Sequence, residues 1–447
     1  MKLPELTVVA PWRRKLLLVA LIFFVALGVR LLNWQGHHNE ALAVQTSVAL
    51  NYKHQARLIQ ANGLASLYDP SSSTNNPDLL GHPPGYPILL SLICRVAGES
   101  DTATQVLQVI LDSLSVVIIT LIAFQLFPAA VGPIAGLLAA FAPQFTWNSL
   151  TLLPDSLAAL PILLAVFLIV RTRYRSDRSS LLSLFAAGAL IGVSCWLRAN
   201  ALLLAPFLAC WFLFFRKRGA RLRPALMVLC GVLLVISPIT IRNAVVFGKF
   251  IPVSLGAGQT LIEGIADYNT DGSLGLPQSD MELISGEAEA FHRPDYANSL
   301  FTPDGPARDR ARLARGFVVI RAHPFWFTSV MIRRAASMLR LERTPLRLAA
   351  DSETPLGLFQ WPLRIVQKLF ITAIFLPLAL FGAGILCYQR QFQTLAILLA
   401  VPFYYFCTQS ALHTEYRYVL VIHYFLFVLA AVAVYTIGCQ VKSRTAG

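Results

Sequence analysis

The sequence predicts an all-α polytopic membrane protein, a bundle of about 10 transmembrane helices (range 9–12) with interfacial helices and an external loop-rich cap. Three observations predict it. Hydrophobic residues make up 56% of the 447-residue chain and charged residues only 13%, against roughly 25% charged in a soluble domain. Ten apolar segments reach or approach the length a helix needs to cross a bilayer, about 20 residues. The formal charge of +14 collects in short loops between those segments, as lysine and arginine do on the cytoplasmic side of a membrane. That distribution argues against nucleic acid as the partner and for the lipid bilayer.

The segments are Leu16–Asn33, Ala103–Phe127, Ala129–Trp147, Thr151–Val170, Leu181–Leu197, Ala199–Phe215, Ala225–Ile241, Val366–Cys387, Leu395–Ala411 and Tyr416–Gly438. The first follows Arg13-Arg14-Lys15 and is too long for a signal-peptide core, so it reads as an uncleaved signal anchor with the N-terminus inside. Pro87–Ala97 and Phe325–Leu339 are shorter and ambiguous. Charge decides the first of them. The basic loops Arg171–Arg175 and Arg216–Arg223 belong inside, and they stay inside only if Pro87–Ala97 does not span. It reads as an interfacial or re-entrant helix whose first turn is pre-set by Pro83 and Pro84. Both termini are then cytoplasmic, with Lys442 and Arg444 inside, and the protein is an integral multi-pass one.

Three regions result. Residues 1–246 form an N-terminal transmembrane module that includes an external loop, 34–102. Residues 247–364 form an external loop whose first half is acidic (Glu263, Asp267, Asp271, Asp280, Glu282, Glu287, Glu289). Its second half carries an interfacial helix over 325–341, with Trp326 and Phe327 beside Arg333, Arg334 and Arg340. Residues 365–447 form the C-terminal helices. The seven cysteines include no Cys-x-x-Cys pair and read as small core hydrophobes rather than a zinc site or disulfide framework.

Ionisable groups are costly in hydrocarbon and informative near it. In this topology Arg30, Glu40, His82, Asp155, Arg198, Arg242, His413, Glu415 and Arg417 all fall near the external ends of helices. One-sided clustering points to a site at the outer membrane–water boundary. Each also has a plainer reading. Asn39 can cap a helix with Glu40 in its first turn, Asp155 can cap its own helix after Pro154, and Arg198 and Arg417 can snorkel. His37 and His38 are adjacent and do not easily reach one metal ion.

In order, the pair Asn39-Glu40, the run Gly81-His82-Pro83-Pro84-Gly85-Tyr86-Pro87, Leu152-Leu153-Pro154-Asp155, and Arg242-Asn243 through Phe247-Gly248 to Ser254, Gly256 and Gly258 resemble a known family. Glu415-Tyr416-Arg417-Tyr418 adds a weaker fifth place. The resemblance is to multi-spanning glycosyltransferases of the GT-C fold, in the bacterial branch of the protein O-mannosyltransferase and aminoarabinose-transferase superfamily (family 39-like). It implies transfer of a sugar from a polyprenyl-phosphate donor to a lipid, glycan or protein acceptor, with inversion, at the external (periplasmic) face of a bacterial inner membrane. The family usually carries Asp-Glu after its first span, with the aspartate assigned to activating the acceptor. Here Asn39 takes that place, which shifts the role to Glu40 or Asp155.

Such chemistry needs a carboxylate to take the acceptor's proton and cations to hold the phosphate as charge develops. Glu40 and Asp155 are the candidate catalytic residues. Asn39, His82, Tyr86, Arg198, Arg242, Arg333, Arg334 and Arg417 are the candidate substrate-binding ones. No Asp-x-Asp motif is present, which favours a site with no cofactor over one with a divalent metal. A flippase of lipid-linked sugars is the main alternative. The absence of internal repeats and of midplane polar residues on broken helices weighs against it. A polysaccharide polymerase or ligase, with a lipid pyrophosphate oligosaccharide donor, is the other.

Overall fold

A computed structural model describes residues 12–75, 80–173, 178–215, 221–342 and 360–445. The basic stretches at 174–177 and 216–220, part of the charge argument for orientation, lie outside them. All ten apolar segments are mainly helical: α1 (Trp12–Leu42), α4 (Asp101–Leu126), the broken pair α5 (Val131–Phe141) and α6 (Pro143–Asn148), α7 (Asp155–Arg171), α8 (Arg178–Leu197), α9 (Leu204–Phe215), α10 (Leu222–Phe247), α15 (Gln360–Lys368) with α16 (Thr372–Tyr388), α17 (Phe392–Gln409) and α18 (Leu420–Thr445). Among the described residues six helices are long and apolar enough to cross a bilayer, and the α15–α16 pair, bent by 61°, makes a seventh. The difference from ten has local causes. Proline stops α5 at Ala142–Pro143, α7 has 17 residues, and α9 has only 12.

Two further helices, α2 (Thr46–Asn62) and α3 (Gly85–Ala97), lie between α1 and α4. At 13 residues α3 rises only about 20 Å, short of the ~30 Å hydrocarbon core. The first helix corrects an expectation. Rather than stopping before a capped start at Asn39, α1 runs on through Gly36 to Leu42, and α2 begins after Gln45, whose φ is 51°. A methyl group at Gly36 would meet only the Gln360 side chain, so nothing there forces a break. With 31 residues, α1 is ~46 Å long and overshoots the hydrocarbon.

Helix α18 is the axis of the bundle, with 78% of its apolar window buried against 28% for α1. In lipid, helices gain little from mutual hydrophobicity and depend on close packing. Gly188 of α8 and Gly231 of α10 provide it: a methyl on either would collide with the other helix's backbone, at the Val228 and Phe185 carbonyls respectively. Deep in the bundle Arg30 of α1 pairs with Asp112 of α4 at 2.6 Å, both essentially unexposed, and the Tyr424 hydroxyl donates to the same carboxylate at 3.3 Å. A charge so placed stays only if paired. Of the cysteines only Cys195 is buried, while Cys210, Cys230, Cys387 and Cys407 are exposed on helix surfaces; the reading of all seven as core residues does not hold.

Beyond α10 the region expected to be loop-rich is largely helical: α11 (Ala257–Ala266), α12 (Asp280–Ala290), α13 (Gly305–Ala322) and α14 (Pro324–Met338). Asp309 of α13 accepts from the Gly258 backbone N–H at 3.0 Å, placing a carboxylate on the positive end of α11. On α14 Phe325, Ile332 and Arg333 are exposed, while Phe327, Val330, Arg334 and Met338 are buried.

Glu287 of α12 holds this cap together. Its carboxylate takes Arg312 at 2.6 Å and Arg308 at 2.8 Å, and both arginines are 2% exposed. Burial pushes the Glu287 carboxyl upward, but hydrogen bonds from Arg312 and Arg308 outweigh it and leave it below its usual 4.5. Its contribution is therefore complete above that value and lost as pH falls through the lowered folded one. Glu287→Ala strands two buried guanidinium groups and is expected to destabilise the cap by about 3–5 kcal/mol, read as earlier proteolysis within 248–342 on heating.

Candidate functional site

The polar helix ends gather at one end of the bundle. Asn33 near the end of α1 donates to Thr146 of α6 at 2.9 Å, Gln105 at the start of α4 donates to the Leu150 carbonyl at 2.9 Å, and Arg198 after α8 reaches Asp155 at the start of α7. The last of these is the centre of the site. Arg198 Nε donates to Asp155 Oδ1 at 2.7 Å, with side-chain exposures of 14% and 2%. On the other side Arg417 Nε stands 4.0 Å from Asp155 Oδ2. That oxygen has no hydrogen-bond partner, nor do Arg417 Nε and Nη1, and all three atoms are buried. Arg417 is steadied through Nη2, which donates to Glu415 at 2.8 Å.

The Tyr418 ring lies within reach of both guanidinium groups, 4.2 Å from Arg198 and 5.2 Å from Arg417, where its face attracts the cations. A crevice of about 20 Å³ beside Asp155 is lined by Arg198, Asn200, Tyr405 and Arg417. It shares the arginines and Tyr418 with an adjoining cavity of about 730 Å³ that extends beneath the cap.

Local sequence places each group. Proline at 154 ends an irregular stretch and starts α7 at Asp155, in the first turn where a carboxylate is favoured. The Gly81–Pro87 run brings α3 against the end of α8: a methyl at Gly85 would strike the Trp196 carbonyl, two residues before Arg198. His82 lines the large cavity, its ring 5.3 Å from that of Tyr52. Burial first, then the positive field of Arg198, depresses the His82 imidazole to about 4. It is therefore neutral near pH 7 and can orient a hydroxyl without adding charge. Burial likewise raises the Tyr52 phenol, keeping it a donor.

The opposite wall comes from the cap and is acidic. Gln259 donates to Glu263 at 2.7 Å and to Asp280 at 3.1 Å. Burial and the neighbouring Asp280 push the Glu263 carboxyl up to about 8. His413 contacts Asp267 at 2.9 Å, and that hydrogen bond raises its imidazole.

Of the residues singled out by sequence, Asp155, Arg198, Arg417 and His82 come together. The others do not. Asn39 and Glu40 are exposed on the last turns of α1 and line neither cavity. Glu40→Gln is accordingly expected to leave turnover within about twofold, the scale of a ~0.5 kcal/mol surface change, in the same transfer assay that reads Asp155. Tyr86 is fully buried and donates to Gln108 at 2.7 Å. Arg242 is enclosed by the Asn75 side chain at 2.9 Å, the Leu67 carbonyl and its neighbour Asn243. Arg334 is taken up by the Ser410 and Gly264 carbonyls, and Arg333 lies exposed over Tyr268. These three arginines line neither cavity. Sequence reasoning missed Tyr52, whose place on a short amphipathic helix carries no signal of its own. His37 and His38 each turn Nδ1 to the carbonyl one turn back. Among the described residues no group of three or more His, Cys, Asp or Glu could hold a metal ion.

Residues 81–241 match the sequence profile of the dolichyl-phosphate-mannose-protein mannosyltransferase family. That segment contains His82, Asp155 and Arg198. Among solved structures the chain is similar to the archaeal oligosaccharyltransferase AglB from Archaeoglobus fulgidus, in complex with an inhibitory peptide and a dolichol-phosphate. The TM-score is 0.55 at 16% identity, covering 97% of this chain and 51% of that one. The same enzyme in its apo form gives the same values. ArnT from Cupriavidus metallidurans bound to undecaprenyl phosphate follows at TM-score 0.37 and 15% identity, over 87% of this chain and 72% of that one. Among proteins of curated function none matches the sequence. The chain thus spans about half the length of the oligosaccharyltransferase it matches. Among the described residues it shares the helical fold of that enzyme, in line with the GT-C bundle expected from its motifs.

Proposed function

We propose that this protein is a membrane glycosyltransferase that moves a sugar from a polyprenyl-phosphate donor to an acceptor hydroxyl. One observation carries the reading: a buried carboxylate oxygen, Asp155 Oδ2, and the buried Arg417 Nε face each other without partners across 4.0 Å, with Arg417 Nη1 also buried and unpartnered, at the edge of a large cavity. In the reaction the acceptor oxygen attacks the anomeric carbon and the carbon–oxygen bond to phosphate breaks. The phosphate keeps the electron pair, and the acceptor proton passes to Asp155 Oδ2. Arg198 holds Oδ1, which aims Oδ2 and leaves its lone pairs free. Arg417 meets the charge growing on the leaving phosphate, where a fixed donor in a dry site is most effective. A single displacement inverts the anomeric centre.

The fold and the family segment support a lipid-linked donor. The acceptor, whether lipid, glycan or protein, enters through the cavity beneath the cap. We place this cavity at the outer face of the membrane, because the basic loops at the other ends of the helices favour the cytoplasm. The test is purified protein in lipid, given labelled polyprenyl-monophosphate sugars in parallel with a polyprenyl-pyrophosphate oligosaccharide. Transfer or slow hydrolysis from a monophosphate donor is expected. Turnover of the pyrophosphate donor alone would favour a polymerase or oligosaccharide ligase, and translocation without bond cleavage a flippase.

A further inference from the structure

The stretch that delivers Asp155 is irregular and buried. Between the end of α6 at Asn148 and the start of α7 at Asp155, residues Ser149–Pro154 form turns and bends with every residue buried. Buried carbonyls off the helix ladder need donors from elsewhere. Two come from α4, one turn apart. Gln105 Nε2 donates to the Leu150 carbonyl at 2.9 Å and to the His38 carbonyl at 3.2 Å. Gln108 Nε2 donates to the Thr151 carbonyl at 2.6 Å and to the Ser149 carbonyl at 3.4 Å.

An amide can flip and present its oxygen instead, and here each oxygen is already occupied by an aromatic donor. Trp34 Nε1 donates to Gln105 Oε1 at 2.9 Å, and the Tyr86 hydroxyl donates to Gln108 Oε1 at 2.7 Å. Either flip would set oxygen against carbonyl oxygen and nitrogen against a donor. Trp34 comes from α1 and Tyr86 from α3, so with α4 three helices converge on six residues of chain. Neither glutamine lines a cavity.

We infer that Gln105 and Gln108, each locked by its aromatic partner, are positioning residues that set where the Asp155 carboxylate stands relative to Arg417. The inference rests on the reading of Asp155 as the general base. It also gives Tyr86 a role other than substrate contact: it carries the placement of the Gly81–Pro87 run to the base through one side chain. Displacement of a reacting group by about 1 Å can cost up to ~100-fold in rate without weakening binding, and this is the signature to look for.

The decisive variant is Tyr86→Phe, which removes one oxygen and keeps the packing. With full-length protein in lipid, it is expected to lower kcat by roughly 10- to 100-fold while KM for the polyprenyl-phosphate sugar and Kd for polyprenyl phosphate stay within about twofold, since Arg198 and Arg417 are untouched. Hydrogen exchange should accelerate in peptides covering 149–157 and not in the cap. Adding Tyr86→Phe to Gln108→Met should cost nothing further, because both act through one chain of bonds. Gln105→Met, on the second pair, should repeat the pattern. Unchanged exchange at 149–157 overturns the inference whatever the activity. Equal loss of phosphate binding and turnover, with faster exchange throughout the bundle, overturns it as general destabilisation. Should the unaltered protein transfer no sugar from any donor, the proposed function falls and the exchange comparison alone decides the positioning.

Discussion

Replacing Asp155 by asparagine is expected to abolish most sugar transfer, by about 10³-fold, within the range that a positioned general base contributes. The substitution keeps the shape of the side chain and one oxygen for Arg198 but removes the site that takes the acceptor's proton. It also removes the anion between two guanidinium groups that are 14% and 6% exposed. Breaking a buried pair from one side costs about 3–5 kcal/mol, so a lower unfolding temperature should accompany the loss. Measuring polyprenyl-phosphate binding on the folded variant separates the two effects. Binding retained at a temperature well below the transition, with turnover gone, assigns the loss to chemistry. Full turnover in a folded Asp155→Asn protein would remove the carboxylate from the mechanism.

Arg417→Lys should lower kcat/KM by about 10²-fold, the usual effect of deleting one preorganised donor to a developing oxyanion. Lysine keeps the charge, but its ammonium is a point donor, whereas the guanidinium presents Nη2 to Glu415 and Nε toward Asp155 at once. Lysine cannot do both. The loss should fall more heavily on kcat than on KM if the contact strengthens as the phosphate departs. A variant that binds donor poorly yet turns it over normally when saturated would instead make Arg417 a ground-state anchor.

The fold class was legible because composition alone forbids anything but a membrane bundle, and the apolar segments located nearly every long helix. Asp155, Arg198 and Arg417 were legible for a related reason: a charge bordering hydrocarbon is expensive enough to need an explanation. What the sequence could not say is which way such a charge faces. Glu40 and Asp155 look alike as carboxylates at the rim of a span, yet one is exposed on α1 and the other is 2% exposed beside two arginines. Arg242 and Arg334 resemble Arg417 in the same way, but carbonyls and amides of distant segments have already taken their donors. Asn39 looked able to cap a new helix and is instead inside α1, which runs through Gly36 because a glycine weakens a helix without ending it. The glutamines of α4 gave no sign at all, since the groups they donate to are main-chain carbonyls that any sequence possesses.

The glycine contact between α8 and α10 limits how the chamber can breathe. With their backbones touching at Gly188 and Gly231, the two helices behave as a single strut. One runs directly into Arg198, while the other feeds the chain into Ser254–Ala257 on the chamber's opposite lip. Their spacing is a fixed gauge, so any widening for a bulky guest has to be taken up elsewhere in the lining: by α2 and the Gly81–Pro83 turn, by α17, by Tyr416–Val419, or by a swing of the cap.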